Sequence, residues 1–60
     1  MYTVIVGNIG KVGEFLDLEP AKKRFWAYRS MSVKGYGRTA GEPVYLMHDG
    51  EVIDSHEGTN

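Results

Sequence analysis

The sequence predicts a small α+β fold, an antiparallel sheet of three or four strands with one helix packed on one face. Three observations predict it: strand-forming residues fill positions 2–6, an amphipathic segment spans 18–34, and Asp49-Gly50 separates two apolar runs. Strands on either side of a segment with helical periodicity are typical of this class. Sixty residues allow one hydrophobic core, so residues 1–60 are expected to form a single domain.

The N-terminal segment predicts a strand, a turn and a second strand. Residues 2–6 are β-branched or aromatic throughout, as in strands. Apolar residues on both faces favour a central position in the sheet. Residues 7–10, Gly-Asn-Ile-Gly, predict a turn or bulge, because glycine and asparagine tolerate a positive φ. Residues 11–16 are expected to form a second, irregular strand.

A helix is predicted from Leu18 to about Lys34. Asp17 is a suitable N-cap, and Pro20 is tolerated in the first turn. Gly35 suits the C′ position that ends a helix. Residues at 3–4 spacing predict the face that covers the sheet: Leu18, Ala21, Phe25, Tyr28 and Ser32.

The C-terminal segment predicts a β-hairpin. Asp-Gly between apolar runs indicates a two-residue loop. A regular register pairs His48 with Glu51 and Val44 with Ser55. Side chains alternate along a strand, so this register predicts one face with Val44, Leu46 and Ile53 and another with Tyr45, Met47 and Val52. One helix covers only one of these faces, which leaves the second open.

The charges are unevenly distributed. All seven basic residues lie within 11–38, which also holds three acidic residues, so that stretch has a net charge of +4. The part of the chain beyond it carries five acidic residues and no basic one: Glu42, Asp49, Glu51, Asp54 and Glu57. Such polarity steers association with charged partners.

Several function classes are disfavoured by composition. The chain has no cysteine, which excludes disulfides and thiolate zinc sites, and two histidines are too few for a metal cage. We expect no metal and no cofactor. The apolar run 1–6 is too short for a signal peptide or a membrane span, so no membrane association is expected.

No catalytic pattern is recognisable. Gly7 and Gly10 are separated by two residues, whereas a phosphate-binding loop has four, and valine follows Lys11 where serine or threonine is needed. His48 beside the hairpin turn is explained by a cross-strand pair with Glu51. A nucleophile and a base would also need an orienting group in a cleft, so we expect no enzyme activity.

The favoured binding surface is the face of Tyr45, Met47 and Val52, joined by Val4 or Ile5 from the first strand. Methionine and tyrosine are enriched at interfaces, and monomers rarely expose a large apolar patch. Alternatively, residues 11–16 fold across this face. Further candidate contacts to a protein partner lie in the glycine-rich loop and on the acidic hairpin: Tyr36, Arg38, Glu51 and Asp54.

A nucleic-acid surface is the alternative. Basic residues interleaved with aromatic ones can pair with phosphates and stack on bases. The candidate contacts are Lys22, Lys23, Arg29 and Lys34, with Trp26 and the 35–38 loop nearby. Against this, the net charge of the chain is −1, whereas nucleic-acid-binding domains are usually basic.

Three segments carry a resemblance to a known group of proteins: Val6-Gly7-Asn8-Ile9-Gly10, the stretch 35–42, and Asp49-Gly50-Glu51. Together they resemble very short uncharacterised proteins of phages and mobile elements. The resemblance implies a bacterial host cytoplasm and a role as an inhibitor of host defence, such as an anti-CRISPR protein, or as an accessory regulator. Lys11-Val12-Gly13-Glu14 is also similar to glycine-lysine stretches of ribosomal proteins, over four residues only.

These observations lead to one expected function and two alternatives. We expect a non-catalytic protein-binding module with a host or phage protein as its partner, and in particular a phage-type inhibitor that occludes a host defence protein. The first alternative is a small nucleic-acid-binding regulator that uses the basic helix and the Gly-Tyr-Gly-Arg loop. The second is a homodimeric phage accessory subunit.

Overall fold

A computed structural model describes residues 1–35 and 41–58 of the chain. This part contains one helix and four strands: β1 (Tyr2–Val6), β2 (Gly10–Phe15), α1 (Leu18–Lys34), β3 (Val44–His48) and β4 (Glu51–His56). The strands form one sheet in the order β2-β1-β3-β4, with every neighbouring pair antiparallel. The predicted α+β class with one helix is confirmed.

The first strand lies in the interior of the sheet, between β2 and β3, as predicted. Val4 and Val6 are completely buried on the side of the helix. The second strand is irregular, as expected, because its register with β1 shifts by one residue at Val12. This shift is a β-bulge, which adds one residue to one strand of a pair.

The hydrophobic core lies between α1 and the three strands β2, β1 and β3. Its six residues expose 1% of their surface or less: Val4, Val6, Ala21, Phe25, Val44 and Leu46. Five half-buried side chains surround them: Tyr2, Val12, Phe15, Leu18 and Tyr28. The helix face predicted from the 3–4 spacing therefore packs on the sheet, and β4 is the edge strand beyond it.

The ends of the helix follow local signals in the sequence. Asp17 occupies the N-cap position in an extended conformation, although its side chain makes no capping hydrogen bond. Gly35 ends the helix with φ of 77°, a conformation that glycine adopts without steric cost. Its N–H donates to the Ser32 carbonyl oxygen at 3.3 Å.

Ser32 anchors the segment that leads from the helix into β3. Its side chain is buried, and its Oγ donates to the Glu42 carbonyl oxygen at 2.7 Å. The Gly41 N–H donates in turn to the Ser32 carbonyl oxygen at 3.1 Å. A polar side chain on the apolar stripe of the helix is thus satisfied by backbone, and it fixes residues 41–42 against α1.

The predicted register of the hairpin is wrong beyond Val52. His48 pairs with Glu51 and Met47 with Val52, as expected, but Leu46 then pairs with Asp54 because Ile53 is an extra residue in a second bulge. Correspondingly, Tyr45 pairs with Ser55 and Val44 with His56. Ile53 remains 48% exposed and does not join the core.

Two features explain this second bulge. The Asp54 carboxylate accepts a hydrogen bond from the Ser55 N–H at 2.9 Å, and such local bonds compete with the sheet ladder. In addition, α1 packs on β1, β2 and β3 and not on the edge strand β4. In the regular register Ile53 would therefore gain no burial under the helix. Bulges and charged residues on edge strands also hinder pairing with another sheet.

Candidate functional site

The sheet side opposite the helix carries a largely apolar surface across three strands. Ile5 pairs with Tyr45, Thr3 pairs with Met47, and Met47 pairs with Val52. Paired residues share a face, and the alternate residues of β1 and β3 are those buried under the helix. We call these five residues the open sheet face.

The open sheet face is not covered by the elements nearest to it. The helix packs on the opposite side, and β2 lies beside β1 within the sheet rather than across it, contrary to the alternative in which 11–16 covers these residues. Val52 is 53% exposed, and Ile5, Tyr45 and Met47 are half-buried. Of the two candidates from the first strand, Ile5 belongs to this face and Val4 to the core.

A charged pair borders the open sheet face on its β2 side. Lys11 pairs with Ile5 and Glu14 with Thr3, so both side chains lie on the open side. Residues three apart in a regular strand point to opposite faces, but the bulge at Val12 brings these two onto one face. The Lys11 Nζ lies 3.0 Å from the Glu14 Oε1. An apolar centre with a polar rim is the usual anatomy of a protein interface.

The acidic candidates are not part of this surface. Glu51 pairs with His48 and Asp54 with Leu46, which places both on the helix side of the edge strand, where they are exposed. Tyr36 and Arg38, the candidates from the glycine-rich loop, lie outside the described residues. The structure thus groups Tyr45, Met47 and Val52 and separates them from Glu51 and Asp54.

The hairpin turn is tied to the start of the chain. The Met1 ammonium donates to the Asp49 Oδ1 at 3.1 Å, and the His48 Nε2 lies 3.4 Å from the Asp49 Oδ2. The His48 ring stacks on Tyr2 at a centroid distance of 4.1 Å. The hydrogen bond from the ammonium, helped by the charge of His48, holds the pKa of the Asp49 carboxyl below its usual 3.8.

This lowered pKa gives a prediction for acid conditions. Because the pKa of Asp49 is lower in the folded state, its contribution to stability is present above the usual pKa and is lost as pH falls through the lowered value. An NMR titration of the Asp49 carboxyl carbon should show a midpoint below 3.8. Acetylation of the Met1 amine should raise that midpoint, and an unchanged midpoint would contradict the assigned cause.

The basic candidates lie on the helix. Lys22, Lys23 and Lys34 are exposed, and Arg29 is half-buried, with its guanidinium carbon 4.6 Å from the centre of the Trp26 ring. The sequence pattern predicts Trp26 only as a neighbour of this group. Its exposed, Arg-stacked ring could have been found from the i, i+3 spacing of Trp26 and Arg29.

The glycine at the start of the β1–β2 turn, Gly7, has a structural role. A Cβ at Gly7 would lie 2.8 Å from the Pro43 Cγ, and the Gly7 N–H donates to the Pro43 carbonyl oxygen at 2.9 Å. Glycine therefore allows the β1–β2 turn to pack against the start of β3.

Three further findings concern residues 1–35 and 41–58. Their surface forms no pocket. They contain no group of three His, Cys, Asp or Glu side chains placed to hold a metal ion. Their helix lacks the length and apolar character needed to cross a bilayer.

Searches of protein-family models, curated proteins and solved structures find no match to this chain. The resemblance to short phage proteins gains no support from relatives.

Proposed function

We propose that the protein is a non-catalytic binding module that docks its open sheet face on another protein and occludes that partner. The observation that carries the proposal is the contiguous set of Ile5, Tyr45, Met47 and Val52 on the sheet side opposite the helix. The resemblance to short phage proteins makes a host defence protein the favoured target, as for an anti-CRISPR inhibitor.

The chemistry of this face suits protein recognition. Tyrosine contributes a large apolar ring with a polar hydroxyl group, and methionine adapts to irregular surfaces. The Lys11–Glu14 pair at the rim is half-exposed. Such rim charges contribute more to orientation and specificity than to affinity.

The size of the molecule favours occlusion as the mechanism. A standard interface buries about 800 Å² on each partner, which is roughly a fifth of the 3870 Å² surface of the described chain. Much of one side of the protein would therefore be committed to a single partner. A face built on paired strands is also rigid before binding, which reduces the entropy lost on association.

The test is a binding experiment with two charge insertions. The Tyr45→Glu, Met47→Glu double variant places carboxylates at the centre of the open sheet face and should weaken binding at least about 30-fold, the effect of losing a hot spot. The partner is first captured from host lysate, identified by mass spectrometry and purified, and its affinity is then measured by calorimetry.

Val33→Glu is the matched control. Val33 is an exposed apolar residue on the helix, away from the open sheet face, so its replacement should leave the affinity unchanged. Circular dichroism should show that all variants retain the fold. Equal affinity of the double variant and the unmodified protein would refute the proposed interface.

A second copy of the chain is the other candidate occupant, because two open sheet faces could stack as in a β-sandwich. Light scattering over a concentration series distinguishes the two cases. A protein that is monomeric at high concentration supports a face reserved for a different partner. A dimer that the same double variant dissociates would assign the face to self-association instead.

A further inference from the structure

One side of α1 carries a second exposed surface that the fold does not use. Lys22, Trp26, Arg29 and Val33 recur at spacings of three and four, so they form one stripe along the helix. Trp26 and Val33 are 51% and 52% exposed. We call these four residues the helix flank.

The contacts of Arg24, on the opposite side of α1, show where the helix flank lies. Arg24 donates from Nη1 to the Val12 carbonyl oxygen at 2.9 Å, and its guanidinium carbon lies 5.4 Å from the Phe15 ring centre. Arg24 is thus occupied by β2. The helix flank lies on the other side of α1, which the sheet order places towards β3 and β4.

The indole ring at the centre of the helix flank is held in place. Trp26 meets the core residue Phe25 edge-on, with centroids 6.0 Å apart and planes at 81°. The Arg29 guanidinium carbon lies 4.6 Å from the Trp26 ring centre, which is a cation–π arrangement. With half of its surface exposed, this ring retains area for another flat group.

The cations around Trp26 are not neutralised by the described part of the chain. The ion pairs found there involve Met1, Lys11 and His48, and none involves the basic residues near Trp26: Lys22, Lys23, Arg29 and Lys34. The single acidic residue of the helix is Glu19 in its first turn. The outer side of α1 is therefore complementary to an anionic partner.

We propose that the helix flank, together with the adjacent Lys23, binds single-stranded nucleic acid, with a base stacked on Trp26 and phosphates paired with Lys22 and Lys23. An aromatic platform within a cationic surface is the arrangement that proteins use for single strands without sequence preference. A membrane surface is disfavoured, because the apolar face of the helix is buried in the core and only Trp26 and Val33 protrude.

A double helix is also disfavoured. Glu51 and Asp54 are exposed on the helix side of β4, the side towards which the helix flank lies, and they would repel the phosphates of a second strand. This surface is separate from the open sheet face, so the two proposals can fail independently.

The experiment measures the binding of a short labelled oligothymidylate, and of the matching oligouridylate, by fluorescence anisotropy at low salt. Trp26 is the only tryptophan of the chain, so quenching of its fluorescence reports contact at the proposed site directly. The two phosphate contacts, through Lys22 and Lys23, predict a slope of about −1.4 for log K against log salt concentration. Absence of any anisotropy change would overturn the proposal.

Variants locate the site. Trp26→Ala should weaken binding roughly 5- to 150-fold, the range for loss of one stacked base, while Trp26→Tyr should retain most of the affinity. Lys22→Gln should weaken binding severalfold. Its matched control, Lys11→Gln on the open side of the sheet, and the Tyr45→Glu, Met47→Glu variant should both leave it unchanged.

Competition identifies the class of partner. An unlabelled single strand should displace the probe, whereas a duplex of the same length should compete poorly. Equal loss of affinity in Lys11→Gln and Lys22→Gln would overturn the assignment to the helix flank. Vesicles with anionic headgroups, or an acidic peptide, that quench Trp26 more effectively than the oligonucleotides would overturn the choice of nucleic acid.

Discussion

Replacement of Phe25 by alanine is expected to abolish cooperative unfolding of the protein. Among the described residues, Phe25 is the largest fully buried side chain, with 1% of its surface exposed. Truncation of a buried phenylalanine costs about 3–5 kcal/mol, and a chain of this size rarely has more than about 3–5 kcal/mol of stability. Urea titration followed by far-UV circular dichroism should therefore show a chain that is already mostly unfolded without denaturant.

The neighbouring residue supplies the control. Trp26→Ala removes an even larger aromatic group, but that ring is 51% exposed and contributes mainly its contacts with Arg29 and the edge of Phe25. Its loss should cost about 1 kcal/mol or less. If Phe25→Ala and Trp26→Ala unfolded at similar urea concentrations, the placement of the core on this side of the helix would be wrong.

The second large effect is expected at Gly7. A methyl group there would lie 2.8 Å and 2.9 Å from the Cγ and Cδ of Pro43 and 3.0 Å from the Glu42 Oε1. The proline ring is rigid, so the strain has to be relieved by separating the β1–β2 turn from the start of β3. That movement also stretches the hydrogen bond from the Gly7 N–H to the Pro43 carbonyl oxygen.

Overpacking of this kind costs about 1–3 kcal/mol, so Gly7→Ala should lower the melting temperature by roughly 4–8 °C for each kcal/mol. Asn8→Ala, at the next position of the same turn, where the residue is exposed, should change the stability by no more than about 0.5 kcal/mol. Equal melting temperatures for the two variants would show that this turn does not pack against Pro43.

The parts of the fold that local chemistry determines were predictable from the sequence. Pro20 and Gly35 mark the first turn and the end of the helix, and the structure has it at Leu18–Lys34. Asp49-Gly50 predicts the hairpin turn and its first two residue pairs. These signals act within a few residues, so they do not depend on the rest of the fold.

The features that were not predicted depend on distant parts of the chain. The alternation of side chains along β4 predicts Ile53 in the core. That prediction assumes that the helix covers the edge strand, which it does not. The Ser32–Glu42 hydrogen bond was missed because a serine on an apolar stripe does not identify its partner. The order of the strands has no local signal, because it depends on the pairing of β1 with β3.

Only part of the candidate site could be predicted from the sequence, because the rest depends on contacts between distant segments. Alternation in β3 was sufficient to group Tyr45 with Met47 and to identify the face opposite the helix. The inclusion of Ile5 in this face could not be predicted without the strand order, which pairs β1 with β3. The Lys11–Glu14 rim requires the bulge at Val12, which moves the two charges onto the same side.

The central β1–β3 pair has a consequence for how the chain folds. Each outer strand pairs with its neighbour in sequence, β2 with β1 and β4 with β3, so each hairpin closes a short loop. The β1–β3 pair alone joins segments separated by the whole helix, and the entropy of closing that long loop is lost before its contacts form. We therefore expect the docking of the two preformed hairpins, with α1 between them in sequence, to limit the folding rate.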